Sequence, residues 1–227
     1  MYKPNIAIYH KKALGFFSLY SSLKFENVHA DWLSLLPNGG YALDIGAGSG
    51  RDAAKLAVRG FYVFAVEPAS ALLTLAQCAY TTANIRWFKD QLPLLATVPK
   101  SQTFDLILLS AVWMHLTPQE QTASWPQLIK HLRPDGLLVF TLRAGEFKDG
   151  RSSYTVDPQQ LSESAHSNGL RLVKSSTNFD KLNRENITWQ TLVFTSATVE
   201  ARNIYPSSLD YRTTDSGATI TDNRACG

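Results

Sequence analysis

Residues 41–53 read YALDIGAGSGRDA, and this stretch decides the fold of the chain. Its first residues, YALDI, are typical of a buried strand, and the three glycines that follow are typical of a tight turn. A helix is predicted to begin near Arg51 or Asp52. Because glycines let backbone amides approach a ligand without a Cβ in the way, we expect a small molecule at the carboxyl end of this strand.

Apolar runs typical of strands alternate with amphipathic runs typical of helices on the C-terminal side of this stretch. Continuous apolar strands separated by amphipathic helices predict a parallel sheet that is covered on both faces. The predicted strands are YVFAVE at 62–67, NIRWFKD at 84–90, FDLILLSAV at 104–112 and GLLVFTLR at 136–143.

The last part of the pattern departs from this alternation. After a helix predicted over 157–168, the segments 169–179 and 186–194 are joined only by the polar stretch DKLNRE. Two adjacent strands with so short a connection pair antiparallel as a hairpin, here at the edge of the sheet. The predicted fold class is α/β, a doubly wound, Rossmann-like, seven-stranded, mostly parallel sheet with a C-terminal antiparallel hairpin strand.

The composition is that of a globular chain, and the distribution of charge and cysteine limits the kinds of partner that the protein is expected to bind. Of the 227 residues, 44% are hydrophobic and 18% are charged, which suits one core and excludes a disordered chain. The formal net charge is +3, but lysines and arginines are scattered, which argues against nucleic acid as a partner. Two cysteines without a CxxC pair predict no metal. No signal-peptide pattern and no membrane-spanning apolar run is visible, so we expect a cytoplasmic protein without a membrane partner.

The glycine spacing bears on which ligand binds. A dinucleotide-binding turn reads G-x-G-x-x-G, whereas here Gly50 comes one residue early and Arg51 stands at the position of the third glycine. Asp44 would repel a pyrophosphate but would suit a cationic ligand, directly or through water. The stretch therefore predicts a positively charged cofactor and disfavours a nicotinamide-dependent oxidoreductase, which stays an alternative.

The stretch ALDIGAGSGRDA resembles the E/DxGxGxG motif of class I S-adenosylmethionine-dependent methyltransferases. Further motifs follow in the order of that family, and the resemblance covers residues 41–143 by motif. It implies methyl transfer with S-adenosyl-L-methionine as the cofactor. The further motifs are VFAVEP at 63–68, RWFKD at 86–90, FDLILLSAVWMHL at 104–116 and HLRPDGLLVF at 131–140.

The resemblance implies a role for several residues in holding the cofactor. Glu67 would accept hydrogen bonds from both ribose hydroxyls, since a carboxylate offers two oxygens to a cis-diol. Asp90 would bind the adenine amino group, and Ser110 would make a main-chain contact to the amino-acid part. The full cofactor-binding set is Asp44, Gly46, Ala47, Gly48, Arg51, Asp52, Glu67, Pro68, Asp90, Gln91 and Ser110.

These residues also have purely structural interpretations. Glu67 could cap the following helix, with Pro68 in its first turn. Asp90 could be a loop carboxylate. Arg51 and Asp52 could be ordinary residues of a first helical turn. The sequence does not decide between the two interpretations.

His115 is the predicted catalytic residue, because it follows the fourth strand on the stretch that faces the substrate in related enzymes. Methyl transfer often needs only alignment, and a general base is required when the nucleophile must lose a proton. A packing or capping role for His115 stays open. Tyr9, Tyr20 and Arg143 could line the same pocket.

The methyl acceptor is inferred from absences. SAVW at 110–113 stands where amino-methylating DNA and RNA enzymes carry (N/D/S)PP(Y/F), and no Pro-Cys nucleophile of the cytosine C5 type occurs. The build resembles small-molecule methyltransferases, so we expect a small-molecule substrate. A non-catalytic, S-adenosylmethionine-binding regulatory module of a larger protein is the alternative, and the oligomeric state is not predicted.

Three segments are expected along the chain. Residues 1–40 form an N-terminal helical lid segment with two short helices. Residues 41–198 form the methyltransferase domain. Residues 199–227, rich in Ser, Thr and Asp, form a polar tail or truncated linker.

Overall fold

The structure is a computed structural model that describes residues 3–182 and 184–196. Its seven strands are β1 Gly40–Ile45, β2 Phe61–Val66, β3 Ile85–Phe88, β4 Phe104–Ser110, β5 Leu132–Ala144, β6 Leu170–Phe179 and β7 Thr188–Ser196. They form one sheet in the order β3–β2–β1–β4–β5–β7–β6. Strands β1 to β5 pair in parallel, and β7 runs antiparallel to both β5 and β6. The predicted fold class, including the C-terminal hairpin, is confirmed.

Helices cover the sheet and its carboxyl edge. They are α1 Lys3–Lys11, α2 Ala13–Ser21, α3 Phe25–Val28, α4 Arg51–Val58, α5 Ser70–Ala79, α6 Pro118–His131 and α7 Pro158–Ser167. Short 3-10 turns occupy Leu33–Leu35 and Trp113–His115. The sequence predicted two helices before β1, whereas the structure has three α-helices there. The additional helix arises because α1 and α2 are separated at Lys12, and the side chains of Ala13 and Phe16 in α2 pack against α5.

The core lies on both faces of the sheet, as a doubly wound fold requires. In β4 the side chains of Ile107 and Leu109 belong to one apolar cluster, and those of Leu106 and Leu108 belong to the cluster on the opposite face. The alternation follows from the period of two along a strand. It explains why these strands read as continuous apolar runs in the sequence.

The predicted segment boundaries stay predictions. Within residues 1–40, α1 and α2 pack against α5. The predicted tail, 199–227, lies outside the described residues. Within the part of the chain that the structure describes, no helix is both long and apolar enough to cross a membrane.

Candidate active site

A pocket opens where β1, β2, β4 and β5 end at the carboxyl edge of the sheet. It is enclosed by the glycine turn, by α1 and α2, by the loop after β5 and by the β6–β7 hairpin. Its walls include Gly46, Ala47, Gly48, Arg51, Asp52, Glu67, Ser110 and His115, all predicted site residues. The pocket lining does not include the predicted residues Asp44, Pro68, Asp90 and Gln91.

The glycine turn owes its shape to positive φ angles. Gly46 has φ +74° and Gly48 has φ +58°, a region that side chains with a Cβ rarely adopt. The amides of Gly46 and Ala47 both donate to the carbonyl of Val66, at 2.7 and 2.9 Å. A Cβ on Gly46 would overlap the buried side chain of Val112, whereas one on Gly48 would lie 3.6 Å from the ring of Tyr20. Gly46 is therefore required for packing, and Gly48 faces the pocket beneath Tyr20.

Glu67 ties the end of β2 to the glycine turn. Its Oε2 accepts from the amide of Gly48 at 2.9 Å, and its Oε1 accepts from the amide of Ala69 at 2.8 Å. Each oxygen keeps a lone pair after these bonds. Burial raises the pKa of Glu67 to about 7 against the effect of the two amides. The capping and the ligand-binding interpretations are thus compatible, because one carboxylate can serve both.

Asp44 lies beneath the turn and is 1% exposed. Its Oδ2 has no hydrogen-bond partner among the described residues. Burial, and next the carboxylate of Asp52, raise the pKa of Asp44 well above its ordinary value. A buried acid of this kind is stabilised in its charged form by a cation above it. Because Asp44 does not line the pocket, its effect on a ligand is electrostatic or passes through water.

Arg51 and Asp52 open α4 and pair with each other. Arg51 Nε donates to Asp52 Oδ1 at 2.7 Å, and Arg51 Nη2 donates to Oδ2 at 2.9 Å. His29 Nε2 also lies 3.1 Å from Asp52 Oδ2, and Trp32 Nε1 donates to His29 Nδ1 at 3.2 Å. Although burial favours a neutral Asp52, Arg51 and His29 hold its pKa below the ordinary value. The pair anchors the N-terminal segment to the turn.

Asp90 has internal partners that occupy both carboxylate oxygens. Oδ1 accepts from the amide of Gln91 at 2.7 Å, and Oδ2 accepts from the amide and the hydroxyl of Thr97 at 2.6 and 2.8 Å. These hydrogen bonds hold the two ends of the loop 90–97 together. Asp90 therefore has the structural role of a loop carboxylate that the sequence also allowed. The predicted adenine contacts of Asp90 and Gln91 stay predictions.

The hydroxyls of Ser110 and Thr141 are hydrogen-bonded to each other across the ends of β4 and β5. The amide of Ala111 donates to Thr141 Oγ1 at 3.1 Å, and Thr141 Oγ1 donates to Ser110 Oγ at 3.5 Å. Ala111 itself has φ +59°, a left-handed conformation that is uncommon for a residue with a Cβ. All three residues line the pocket. Backbone strain of this kind is found at ligand sites that the surrounding structure holds in place.

His115 is buried at the far side of the same pocket. Its Nδ1 lies 2.9 Å from the carbonyl oxygen of Ser152 and 3.2 Å from Nδ2 of Asn5. Because the carbonyl can only accept, and because Asn5 Nδ2 donates to that same carbonyl at 2.8 Å, we assign the proton to Nδ1. Nε2 is then an acceptor, 3.3 Å from the hydroxyl of Tyr9. Burial lowers the pKa of His115 to about 4. In the neutral ring, Nδ1 therefore donates to the loop carbonyl of Ser152, and Nε2 accepts from the hydroxyl of Tyr9 in α1.

The sequence did not identify Arg151, which holds this side of the pocket together. Its Nη1 donates to the hydroxyls of Tyr9 and Tyr20, at 2.7 and 2.9 Å. Its Nη2 lies 2.7 Å from a carboxylate oxygen of Asp149, and its guanidinium lies 4.4 Å from the centre of the Phe147 ring. The only signal was an arginine and an aromatic residue in the loop after β5. That signal does not specify partners more than a hundred residues away.

Comparisons with known proteins agree with this geometry. Residues 42–136 match the family model described as a methyltransferase domain. A TehB-like S-adenosylmethionine-dependent methyltransferase from Corynebacterium glutamicum is 22% identical, with a TM-score of 0.62 over 85% of this chain and 100% of that one. No curated protein matches the chain in sequence.

A second structure of similar fold contains ligands. It is 1,6-didemethyltoxoflavin-N1-methyltransferase of Burkholderia thailandensis, with bound 1,6-didemethyltoxoflavin and S-adenosylhomocysteine. It is 17% identical, with a TM-score of 0.64 over 84% of this chain and 88% of that one. Over residues 42–136 the chain is similar to a methyltransferase domain, and this range contains the glycine turn and the parallel strands β2, β3 and β4 in full. Both solved structures share the fold of this chain.

Proposed function

We propose that the chain transfers a methyl group from S-adenosylmethionine to a small-molecule acceptor within the pocket. The observation that carries the proposal is the buried carboxylate of Glu67, which lies against the Gly48 amide in the pocket wall and keeps a lone pair on each oxygen. The small-molecule class is supported by the enclosure of the pocket by Tyr9, Tyr20 and Arg151. It is also supported by the similarly folded Burkholderia enzyme, which binds 1,6-didemethyltoxoflavin.

The residues at the glycine turn fit a cationic adenosyl cofactor. Glu67 would accept from the ribose hydroxyls, and Gly48 and Tyr20 line the same part of the pocket. Beneath the turn, the positive charge of the cofactor would stabilise the ionised form of Asp44, whose Oδ2 has no partner among the described residues. Arg51 and Asp52 would define the wall at the start of α4. The cofactor, when bound, supplies an electrophilic methyl group on a sulfonium sulfur.

The chain's own residues would orient the acceptor and exclude water. Tyr9 and Tyr20, held by Arg151, close the pocket over His115. The neutral His115 can accept a further proton only at Nε2, because Nδ1 is already protonated and donates to the Ser152 carbonyl. An acceptor that loses a proton would thus need to reach Nε2, directly or through the Tyr9 hydroxyl. An acceptor that needs no base would be aligned by the walls alone.

Calorimetry tests the cofactor assignment. We expect S-adenosylhomocysteine to bind the wild-type protein and NADH not to bind. Glu67→Ala should make the binding free energy of S-adenosylhomocysteine less favourable by about 1 to 3 kcal/mol, the cost of losing charge-assisted hydrogen bonds. Binding of NADH alone would contradict the proposal and favour the oxidoreductase.

Turnover separates the enzyme from the regulatory module. The wild-type protein is incubated with S-adenosylmethionine and a metabolite panel, and formation of S-adenosylhomocysteine is measured. Tight cofactor binding without transfer to any acceptor would favour the non-catalytic alternative. A cytoplasmic location and the three segment boundaries stay predictions from the sequence.

A further inference from the structure

Arg143 lies at the end of β5, two residues beyond the Thr141 that contacts Ser110. Side chains two apart in a strand point to the same face, and Thr141 and Arg143 both line the pocket. The intervening Leu142 belongs to the apolar core. Arg143 therefore extends the wall of the pocket from the ends of β4 and β5 toward the loop that follows.

The guanidinium of Arg143 has only neutral partners among the described residues. Nη1 donates to the carbonyl of Gly145 at 2.6 Å, and Nη2 donates to the carbonyl of Glu146 at 2.9 Å. The carbon at its centre lies 3.9 Å from the centre of the Phe147 ring, so the plane is held in place by the loop. Nε is buried and has no partner within the described ranges.

The two neighbouring guanidiniums differ from Arg143 in this respect. Arg151 pairs with Asp149 at 2.7 Å, and Arg184 pairs with Asp180 at 2.7 Å. The described part of the chain places no carboxylate within 4.0 Å of Arg143. Of these three guanidiniums, Arg143 is the one without an ion pair among the described residues.

The local electrostatics support this account. Burial, followed by the charges of Arg184 and Arg151, lowers the pKa of Arg143 from its ordinary value, against the smaller opposing effects of Asp180 and Asp149. An arginine that is fixed in position and repelled by its neighbours gains from an anion placed beside it.

We propose that the methyl acceptor carries an oxyanion, a carboxylate or a phosphate, and that Arg143 binds this group. The inference rests on the proposed function, because it concerns the acceptor side of the same pocket. The oxyanion would accept from the unused donors of the guanidinium, which has five N–H groups. The acceptor would therefore be a small organic anion, in contrast to the cationic cofactor at the glycine turn.

The test measures binding of simple probes to protein saturated with S-adenosylhomocysteine. Benzoate and phenyl phosphate are the charged probes for the two oxyanions, and benzamide is the neutral control. The proteins are wild type, Arg143→Gln and Arg171→Gln. Arg171 is exposed on β6, so its variant changes the net charge equally without altering the pocket wall.

We expect at least one charged probe to bind the wild type about 10-fold or more tightly than benzamide, the range of one charge-assisted hydrogen bond. Arg143→Gln should abolish this preference, and Arg171→Gln should keep it. The identity of the stronger probe distinguishes a carboxylate from a phosphate.

Several results would overturn the proposal. They are no binding of either charged probe, equal binding of benzamide, or an unchanged preference in Arg143→Gln. Equal loss in Arg171→Gln would show that net charge alone is responsible. Weaker S-adenosylhomocysteine binding in Arg143→Gln would assign Arg143 to the cofactor carboxylate instead. If S-adenosylhomocysteine fails to bind the wild type, the proposed function itself is wrong, and this is known before any probe is added.

Discussion

The two ends of the pocket are built in different ways. We call the residues 44–52 and Glu67 the glycine-turn end, and the residues Tyr9, His115 and 143–152 the His115 end. At the glycine-turn end Gly48 bonds Glu67, 19 positions away in the sequence. At the His115 end the bond from His115 to Tyr9 spans 106 positions, and that from Asn5 to Ser152 spans 147. One end is specified locally, and the other exists only in the folded chain.

The two ends also differ in charge. Asp44, Asp52 and Glu67 lie at the glycine-turn end with Arg51 as the cation. The His115 end has the bases Arg143, Lys148 and Arg151 and the acids Glu146 and Asp149. The difference suits a pocket in which a cationic cofactor meets an anionic acceptor. Tyr20 joins the ends, because its hydroxyl accepts from Arg151 and its carbonyl accepts from Arg51.

The largest effect is expected from Gly46→Ala, which breaks the glycine-turn end. The new Cβ would overlap Val112 and hold an alanine at φ +74°. Overpacking and backbone strain together should lower the free energy of unfolding by about 4 kcal/mol. Urea unfolding measures this. Gly169→Ala is the control, since Gly169 has φ +79° but nothing within 4 Å of the new Cβ. Equal losses in both variants would show that Val112 does not matter.

The next effect is a pH dependence that belongs to the His115 end. The pKa of His115 is about 4 in the folded chain and 6.5 ordinarily. As the pH falls, the histidine of the unfolded chain is therefore protonated at a higher pH than that of the folded chain. The stabilisation is present above pH 6.5 and is lost as the pH falls toward 4, by about 3 kcal/mol in all. His115→Asn keeps a donor for the Ser152 carbonyl but does not titrate. Urea unfolding across this interval should show a smaller acid loss in the variant. An identical loss would remove His115 as its cause.

A smaller effect is expected on the affinity for the cofactor, which depends on the glycine-turn end and not on the His115 end. Burial raises the pKa of Glu67 to about 7, and the ionised form is the better acceptor for ribose hydroxyls. Affinity for S-adenosylhomocysteine should therefore fall about tenfold for each unit of pH below about 7. Glu67→Gln should be weaker throughout, with a flatter profile by calorimetry. The same slope in the variant would assign the titration to another group.

Tyr20→Phe should have the smallest effect and tests the link between the ends. It removes one hydrogen bond to Arg151, whose bond to Tyr9 remains, so the free energy of unfolding should fall by about 1 kcal/mol. Thermal unfolding of Tyr62→Phe is the control, because Tyr62 is 55% exposed on β2. A loss as small as in Tyr62→Phe would mean that the two ends are not coupled through Tyr20.

Much of the fold and of the glycine-turn end could be predicted, for reasons that lie within short stretches. Strand and helix periods are local, and the turn at Gly46 and Gly48 requires residues without a Cβ. The place of Glu67 follows from β2 being parallel to β1. Asp90 shows the limit even here, since its hydrogen bonds to Thr97 depend on the course of a loop that no period encodes.

The α/β sheet, the glycine turn and the similarity of residues 42–136 to a methyltransferase domain follow from the amino-acid sequence alone, because each depends on patterns a few residues long. The tertiary structure alone decided that Arg151 holds two tyrosines, that His115 is buried against Ser152 and Tyr9, and that Arg143 has no acidic partner among the described residues. Burial and charge pairing are properties of groups distant in the chain, so they exist only once the sheet brings its strand ends together.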